Sequence, residues 1–262
     1  MVWPMSFVHA IKKAVPQDNP VRMLWHKAKS FAAALCYGFP ARNLTIIGVT
    51  GTDGKTTTVG MTAHILHESG IAVGALTTAF FRIRGRTEPN PTQKTSPSPF
   101  MIQRFLRRLV SEKCTHVVLE CSSHGLVQAR LDYTWPLVAG ITNLTPEHLD
   151  YHRSMEEYMQ AKARLFHMLN GRGTKVLNAE DDTVHAYRLI PTQHTILYAK
   201  DSSRSALEHD RNHEEILTIS AVHGTSRAVN AIVHDSSRVG DWLEPITSKT
   251  HSVRLGVPMR AA

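Results

Sequence analysis

A glycine-rich turn followed by a lysine and a threonine is the strongest chemical signal in the sequence. The turn, GVTGTDGKT at 48–56, lies between an apolar run over 44–49 and a helical pattern over 56–69. Glycines let a backbone wrap phosphate groups, the N–H groups of a helix N-terminus donate to them, and a lysine adds a cation. The hydroxyl of Thr56 can reach a Mg²⁺ ion. The pattern predicts a phosphate-binding loop; the alternative is a plain glycine turn, because Val49 stands where the strict motif has its first glycine.

A carboxylate at the end of another apolar run is the second chemical signal. A metal-bound triphosphate needs an acidic partner, normally at the carboxyl end of a neighbouring parallel strand. The run HVVLE at 116–120 ends in one carboxylate, and CSSHG follows it. Glu120 is therefore the predicted Mg²⁺ ligand, and a solvated glutamate at a strand end is the alternative.

The elements that must position these residues alternate between strand and helix. Further strand patterns occur at 72–77, 137–142, 175–178 and 195–198, and helical patterns occur at 21–38, 98–112, 154–169 and 181–189. This alternation predicts an α/β fold with a P-loop NTPase-like, mostly parallel sheet flanked by helices. Beyond residue 200 the sequence is rich in Ser, His and charge, with short β-like pieces at 216–222 and 228–233.

Length and composition exclude several classes of protein. The chain has 262 residues, of which 42% are hydrophobic and 20% charged, enough for an ordinary core. Its three cysteines have no metal-type spacing, which argues against a disulfide or zinc scaffold and favours a reducing compartment. The longest apolar stretch, at 30–40, is about half of a membrane span, and no signal-peptide pattern fits. The prediction is a cytoplasmic protein without a transmembrane segment.

The positive charge of the chain is uneven. The net charge is +8, and the basic surplus is concentrated in residues 1–50 and 82–113. Such segments suit either nucleic acid or an anionic small substrate. No recognition motif or interleaving of aromatic and basic residues accompanies the charge, so the prediction is an acidic small substrate and no nucleic-acid partner.

Four motifs in one order resemble the Mur ligases, ATP-dependent enzymes that join an amino acid to a carboxylate through an acyl-phosphate. GTDGKTTT at 51–58 is similar to the family's GTNGKTTT. ECSSHGL at 120–126, continuing through QAR at 128–130, is similar to the corresponding segment of the UDP-N-acetylmuramoyl-tripeptide synthetase (MurE-type) branch. TNLTPEHLDYH at 142–152 and YMQAKARLF at 158–166 resemble the next two motifs. The resemblance runs from about residue 44 to 200 and implies the central ATP-binding domain of such a ligase.

The resemblance implies a role for each matching residue and implies ATP and Mg²⁺ as cofactors. Lys55 would contact the β- and γ-phosphates, Thr56 and Glu120 one Mg²⁺, and His148 with a carbamylated Lys162 a second Mg²⁺. The implied catalytic residues are thus Lys55, Lys162 and His148. The implied nucleotide-binding residues are Gly51, Thr52, Asp53, Gly54, Lys55, Thr56, Thr57 and Asn143. The implied substrate-binding residues are Thr95, Ser96, Ser122, Ser123, Gln128 and Arg130.

Two of these residues have ordinary alternatives when they are considered without the resemblance. His148 is then one of 16 histidines, and Lys162 is a solvated lysine on an amphipathic helix. Carbamylation of Lys162 makes chemical sense, because a carbamate is an anionic oxygen donor of the kind that Mg²⁺ prefers.

The resemblance also implies a division of the chain. The predicted parts are a leader with an amphipathic helix at 1–42, the central ATP-binding domain at 43–200, and a tail at 201–262 that is the truncated end of that domain. Complete ligases of this branch carry an N-terminal domain for the uridine portion and a C-terminal domain that binds the amino acid. The expectation is therefore a reduced N-terminal domain and no C-terminal domain, with a separate chain as a possible source of the latter.

The predicted function is ATP-dependent ligation of an amino acid to UDP-N-acetylmuramoyl-dipeptide, a step of peptidoglycan-precursor synthesis and hence of cell-wall biogenesis and cell shape. One alternative is a folylpolyglutamate- or cyanophycin-type amide ligase, which shares the phosphate loop, although SSHGLVQAR at 122–130 favours the muramoyl branch. The other alternative is a non-catalytic nucleotide-binding module that docks on a partner through the apolar stretch at 30–40.

Overall fold

The computed structural model of the chain describes residues 19–200, 215–221, 228–234 and 253–256. The helices are α1 (Pro20–Cys36), α2 (Lys55–Glu68), α3 (Pro99–Ser111), α4 (Ser123–Val127), α5 (Leu149–His152), α6 (Met155–His167) and α7 (Val184–Arg188). The strands are β1 (Thr45–Thr50), β2 (Val73–Leu76), β3 (Phe80–Ile83), β4 (Arg86–Pro89), β5 (His116–Glu120), β6 (Val138–Ile141), β7 (Thr174–Asn178), β8 (His194–Lys200), β9 (Glu215–Ala221), β10 (Ala228–His234) and β11 (Val253–Gly256).

These strands form one sheet in the order β11-β10-β9-β8-β7-β6-β1-β5-β2-β3-β4. The seven neighbours from β9 to β2 pair in parallel. The pairs β2–β3, β3–β4, β9–β10 and β10–β11 are antiparallel and lie at the two edges. The predicted α/β fold with a mostly parallel sheet is confirmed. Since parallel strands end at the same edge, β1, β5 and β6 bring their carboxyl ends together.

Helices cover both faces of the central strands, which explains why these strands are apolar over their whole length. On one face, Val59 and Ala63 of α2 pack with Val73, Ala75 and Val118 of the sheet. On the other face, the cores of α3 and α6 pack in a larger cluster with Ile46 and Leu119. No helix in the described part of the chain is both long and apolar enough to cross a membrane.

The sequence did not indicate the hairpin of β3 and β4. Each strand has only four residues. All four residues of β4 are exposed, and the sequence of β3, FFRI, shows no apolar–polar alternation although its second and fourth residues are buried. Asn90 instead fixes the chain after the hairpin, because its side-chain amide donates to the carbonyl oxygens of Thr77 at 2.7 Å and Lys94 at 3.1 Å.

Helix α1 is fastened to the sheet-bearing part of the chain. Asn19 caps its N-terminus by accepting from the backbone N–H of Val21 at 2.9 Å. The buried hydroxyl of Ser30 donates to the carbonyl oxygen of Ala129 at 2.6 Å. At the other end, Nε of Arg107 in α3 donates to the carbonyl oxygen of Tyr37 at 2.8 Å. The expected division into 1–42, 43–200 and 201–262 stays a prediction, although β9, β10 and β11 extend the same sheet.

Candidate functional site

The loop between β1 and α2 turns on two glycines with positive φ, Gly51 at +143° and Gly54 at +77°. A Cβ atom on Gly51 would lie 1.8 Å from Oγ1 of Thr142 and 3.1 Å from its backbone nitrogen. The loop therefore passes too close to the end of β6 for any side chain at residue 51. Gly54 is the N-cap of α2, so the unpaired N–H groups of the first turn lie at this edge of the sheet, as anion binding requires.

Two residues that follow β6 hold the loop in place. The backbone N–H of Thr52 donates to the carbonyl oxygen of Asn143 at 2.9 Å, and that of Asp53 donates to Oδ1 of Asn143 at 2.9 Å. The hydroxyl of Thr142 donates to the carbonyl oxygen of Asp53 at 2.6 Å. Asn143, predicted to bind the nucleotide, thus shapes the loop with its side chain, whereas Thr57 lies exposed on the first turn of α2.

Lys55 extends its ammonium group back over the loop. Its Nζ atom donates to the carbonyl oxygen of Thr52 at 2.5 Å. A phosphate oxygen is a stronger, charge-assisted acceptor than a peptide carbonyl, so an anion in the loop would compete for this ammonium. The contact of Lys55 with phosphate stays a prediction.

Glu120 is a buried carboxylate held by hydroxyl and amide donors, and only 2% of it is exposed. Its Oε2 atom accepts from Oγ1 of Thr56 at 2.9 Å and from the backbone N–H of Thr78 at 2.8 Å, and its Oε1 atom accepts from Oγ1 of Thr78 at 3.1 Å. No lysine, arginine or histidine of the described ranges forms a salt bridge with it. A buried charge without a counter-ion is costly, and a divalent cation would supply that counter-ion.

The donor set around Glu120 fits Mg²⁺. A carboxylate and a hydroxyl are hard oxygen donors, and Mg²⁺ commonly takes one or two carboxylates and completes its shell with water and phosphate oxygens. The described residues contain no group of three or more His, Cys, Asp or Glu side chains placed to hold a metal. Sequence reasoning missed Thr78, although its position just after β2, at the same edge as Glu120, was a usable signal.

Lys162 of α6 is almost completely enclosed, with 1% of its surface exposed. Its Nζ atom donates to the carbonyl oxygen of Gly51 at 2.5 Å and lies 4.2 Å from the ring centroid of Tyr158. Burial, and next the charge of Lys55, lower the pKa of Lys162 to about 7. An amine with that pKa is partly neutral at physiological pH, and only the neutral form attacks CO₂ to give a carbamate.

His148 stands at the exposed rim of an aromatic cluster that separates it from Lys162. The ring of His124 lies 5.2 Å from that of His148, 3.8 Å from that of Tyr151 and 5.5 Å from that of His152. His152 in turn lies 5.0 Å from the ring of Tyr158, over which Lys162 sits. Burial, then the charges of His124, Lys162 and His148, lower the pKa of His152 to about 4.

The predicted substrate residues form one hydrogen-bonded network that begins beside Glu120. The hydroxyl of Ser96 donates to the carbonyl oxygen of Glu120 at 3.3 Å and accepts from the backbone N–H of Ser122 at 3.0 Å. Nη1 of Arg130 donates to the carbonyl oxygen of Ser96 at 2.6 Å, and its Nε and Nη2 atoms donate to Oε1 of Gln128 at 3.1 and 2.6 Å.

The two remaining substrate candidates lie at the ends of this network. Oγ1 of Thr95 shares a 2.8 Å hydrogen bond with Oγ1 of Thr78, and Thr78 in turn donates to Glu120. Oγ of Ser123 shares a 2.9 Å hydrogen bond with Nε2 of His152. The structure therefore brings the loop, the buried carboxylate and the hydroxyl network to one edge of the sheet, with Lys162 beneath the loop and His148 at the rim.

The chain that carries this site matches a known protein family and several of its members. A family model described as the Mur ligase middle domain matches residues 49–232. The chain is 37% identical over 205 residues to a UDP-N-acetylmuramoyl-L-alanyl-D-glutamate–2,6-diaminopimelate ligase of Chlorobaculum tepidum, a match that covers 78% of this chain and 40% of the relative. It is 41% identical over 172 residues to the ligase of the same name from Geobacter metallireducens, covering 63% of this chain and 32% of that one.

Solved structures of a muramoyl-peptide ligase and of FPGS share the fold of this chain. One titled as a UDP-N-acetylmuramoyl-L-alanyl-D-glutamate–2,6-diaminopimelate ligase matches with a TM-score of 0.53 and 26% identity, covering 74% of this chain and 39% of that chain. The apo form of L. casei FPGS matches with a TM-score of 0.58 at 17% identity, covering 80% of this chain and 55% of that chain, which shows a common fold alone. The chain spans about 40% of the length of the first curated relative, and nothing in these matches supports a separate chain that supplies a further domain.

Proposed function

Because the chain belongs to the Mur ligase family, we propose that it binds Mg²⁺-ATP and takes part in ATP-dependent ligation of an amino acid to UDP-N-acetylmuramoyl-L-alanyl-D-glutamate. The observation that carries the proposal is the 2.9 Å hydrogen bond between Thr56 of the phosphate loop and the buried Glu120 of β5. It joins the two predicted metal ligands of one site. A cytoplasmic location, where ATP is available, is part of the proposal.

The reaction has two steps. The substrate carboxylate attacks the γ-phosphorus of ATP, giving an acyl-phosphate and ADP, and the amine of the incoming amino acid then attacks the acyl carbon and expels phosphate. Catalysis of phosphoryl transfer consists mainly of positioning and of neutralising charge on the phosphates. The N–H groups at the start of α2 and the ammonium of Lys55 would do both, since they would hold the phosphates in position and offset their charge.

A Mg²⁺ ion held by Thr56 and Glu120 would supply further positive charge at the phosphates. Thr78 would keep Glu120 oriented, because it donates twice to the two oxygens of that carboxylate. Lys162, as a carbamate, is the proposed ligand of a second Mg²⁺. His148 is the other ligand that the resemblance implies, and its side chain would have to turn inward from the exposed rim of the aromatic cluster to reach the same ion. The support for this role of Lys162 is its enclosure beside the loop and the lowering of its pKa, which leave a neutral amine available.

The network from Ser96 to Arg130 is the proposed substrate site. Arg130 already donates in a fork to Gln128 and to the Ser96 carbonyl oxygen, and all of these acceptors are uncharged. A carboxylate is a better partner for a guanidinium than a neutral amide, so an acidic substrate could take the place of Gln128. Ser122, Ser123 and Thr95 offer hydroxyl groups along the same path.

Calorimetry with ATP and Mg²⁺ tests the nucleotide part of the proposal. Wild-type protein should bind, and Lys55→Ala should bind at least about tenfold more weakly, a loss of about 1.4 kcal/mol. The matched control is Lys113→Ala, which removes an exposed lysine far along the sequence from the loop. Absence of binding in the wild type, or equal binding in Lys55→Ala, overturns the assignment.

A test of the proposed ligation needs the acceptor substrate as well as ATP. Release of ADP should be measured with UDP-N-acetylmuramoyl-L-alanyl-D-glutamate, ATP and either 2,6-diaminopimelate or lysine. Folate with glutamate serves as the comparison, because the fold is shared with FPGS. ADP release that depends on the folate pair and not on the muramoyl acceptor would replace this proposal with the folylpolyglutamate alternative.

A further inference from the structure

Thr78, just after β2, lies between the proposed metal ligand Glu120 and the proposed substrate residue Thr95. Its Oγ1 atom is 3.1 Å from Oε1 of Glu120 and 2.8 Å from Oγ1 of Thr95. Its backbone N–H donates to the other carboxylate oxygen, Oε2, at 2.8 Å. The side chain of Thr78 therefore contacts one residue of each proposed site, while its main chain keeps it beside the carboxylate.

The side chain of Asn90 holds these two threonines next to each other. It is 4% exposed, and its Nδ2 atom donates to the carbonyl oxygens of Thr77 at 2.7 Å and Lys94 at 3.1 Å, the residues that precede the two threonines. Its Oδ1 atom accepts from the backbone N–H of Thr92 at 2.9 Å and from the hydroxyl of that residue at 2.7 Å. Since both polar atoms of this buried amide are paired, the contact between the two threonines is built into the packing of the loop.

The number of protons determines the direction of these hydrogen bonds. An ionised carboxylate can only accept, and a hydroxyl group carries one proton. A charged oxygen is also a stronger acceptor than a neutral hydroxyl, so Thr78 donates its one proton to Glu120 and accepts the proton of Thr95. In this arrangement Thr95 offers a ligand only its lone pairs, which repel the oxygens of an acidic acceptor.

A divalent cation on Glu120 would reverse that direction. A bound Mg²⁺ is the largest local charge in its site and withdraws charge from the carboxylate oxygens, which makes Oε1 a weaker acceptor. The bond to Oε1 is already the longer of the two at Thr78, 3.1 Å against 2.8 Å. The hydroxyl of Thr78 then turns toward Thr95 by rotation about its C–O bond, and no proton moves from one oxygen to another. The proton of Thr95 is released and can be donated to an oxygen of the acceptor.

We propose that Thr78 is a positioning residue that couples the Mg²⁺ site to the acceptor site: its hydroxyl donates to Glu120 before the ion binds and to Thr95 afterwards. The inference deepens the proposed function and rests on it for the metal and for the identity of the acidic acceptor. Two sites that share one hydroxyl with two orientations form a linked equilibrium. Each ligand therefore raises the affinity of the protein for the other by the same factor.

The test is calorimetric titration of the full chain with UDP-N-acetylmuramoyl-L-alanyl-D-glutamate, with and without the non-hydrolysable ATP analogue AMPPCP. In the wild type, saturating Mg²⁺-AMPPCP should strengthen acceptor binding at least about fivefold, and AMPPCP with EDTA in place of Mg²⁺ should not. Thr78→Val keeps the shape of the side chain and the backbone N–H but lacks the hydroxyl, so it should lose this gain. Thr78→Ser should retain the gain, as should Thr87→Val, which replaces an exposed threonine of β4.

The acceptor affinity of metal-free Thr78→Val separates coupling from a merely structural role. In this variant the proton of Thr95 has lost its acceptor, so the acceptor should bind at least as tightly as it does to the metal-free wild type. Acceptor binding that is weakened by the same factor with and without Mg²⁺-AMPPCP would show that Thr78 only supports the loop, and it would overturn the inference.

The wild type alone distinguishes failure of this inference from failure of the proposed function. If it binds both ligands and Mg²⁺-AMPPCP brings no gain in acceptor affinity, the inference fails and the proposed function stands. If it does not bind the acceptor in either condition, both fail. Circular dichroism checks that each variant is folded.

Discussion

The Nζ atom of Lys162 donates to the carbonyl oxygen of Gly51 at 2.5 Å, which joins α6 to the phosphate loop across 111 residues of sequence. The bond places an amine directly beneath the loop, within electrostatic reach of Lys55. Two lysines therefore contact the loop: Lys55 from α2, which follows it, and Lys162 from α6. The charge state of the enclosed amine should affect both the stability of the protein and the chemistry of the loop.

Replacing Lys162 by methionine should change how stability depends on pH. The pKa of Lys162 falls from 10.5 in the unfolded chain to about 7 in the folded protein. Between these values the unfolded state binds more protons, so the contribution of this residue to stability rises with pH. Below about pH 7 both states are protonated and the penalty is constant. The measurement is urea unfolding in carbonate-free buffer. The free energy of unfolding of the wild type minus that of Lys162→Met should rise by up to about 1.4 kcal/mol per pH unit between pH 7 and 10.

Lys27→Met is the control for this measurement, because Lys27 is an exposed lysine of α1. Its stability should run parallel to that of the wild type over the same pH range. A difference between wild type and Lys162→Met that stays constant from pH 7 to 10 would contradict the prediction. In ¹³C-bicarbonate, the wild type should in addition show a carbamate carbon signal that is missing in Lys162→Met.

Glu120→Gln should remove the Mg²⁺ dependence of ATP binding. The amide keeps the shape of the side chain and an oxygen that can accept from Thr56 and Thr78, but it lacks the charge that a divalent cation needs. ATP affinity measured with and without Mg²⁺ should differ at least about tenfold in the wild type and hardly at all in the variant. Glu112→Gln, an exposed glutamate after α3, is the control and should behave as the wild type. An undiminished effect of Mg²⁺ in Glu120→Gln would show that the ion is held elsewhere.

The sequence was sufficient for the strands that carry the site and insufficient for the contacts between them. The predicted strand at 116–120 agrees with β5, because an apolar run bounded by polar residues is a local signal. The same is true of the helix at 21–38, which is α1 at Pro20–Cys36. The hairpin of β3 and β4 was missed because both strands have only four residues and β4, which is fully exposed, has no apolar pattern.

The properties that make the site chemically distinctive come from residues that are distant in sequence. The enclosure of Lys162 depends on Gly51 and Tyr158, and its own helix offers nothing that separates it from a solvated lysine. The attachment of α1 depends on the hydrogen bond between Ser30 and Ala129, residues that are 99 positions apart. Periodicity and spacing describe one element at a time, so contacts of this kind become visible only when the elements are packed.

Gly51→Ala should destabilise the protein more than another substitution at a glycine with positive φ. The new Cβ would enter the end of β6, 1.8 Å from Oγ1 of Thr142, in addition to the strain of φ at +143°. Overpacking costs about 1–3 kcal/mol and the backbone strain about 1–3 kcal/mol. Gly171→Ala is the control, because Gly171 has φ at +72° and open space around its Cβ position, so only the strain applies. Equal losses in urea unfolding would mean that Thr142 moves aside without cost.

His152→Gln should make the protein more resistant to acid than the wild type. His152 is 3% exposed and bonded to Ser123, and burial, with the charges of His124, Lys162 and His148, lowers its pKa to about 4. Between about pH 6.5 and 4 the imidazole is protonated in the unfolded chain and neutral in the folded protein, so acidification favours unfolding. The stability of the wild type minus that of the variant should therefore fall by up to about 1.4 kcal/mol per pH unit across this window.

The comparison isolates one histidine because the carboxylates titrate equally in both proteins. His185→Gln, which replaces an exposed histidine of α7, is the control and should keep a constant difference from the wild type. Proton NMR supplies a second readout: the ring resonances of His152 should not shift between pH 8 and 5, whereas those of an exposed histidine should. Titration of His152 near its ordinary pKa would mean that water reaches the aromatic cluster, and the enclosure of the neighbouring Lys162 would then have to be reconsidered as well.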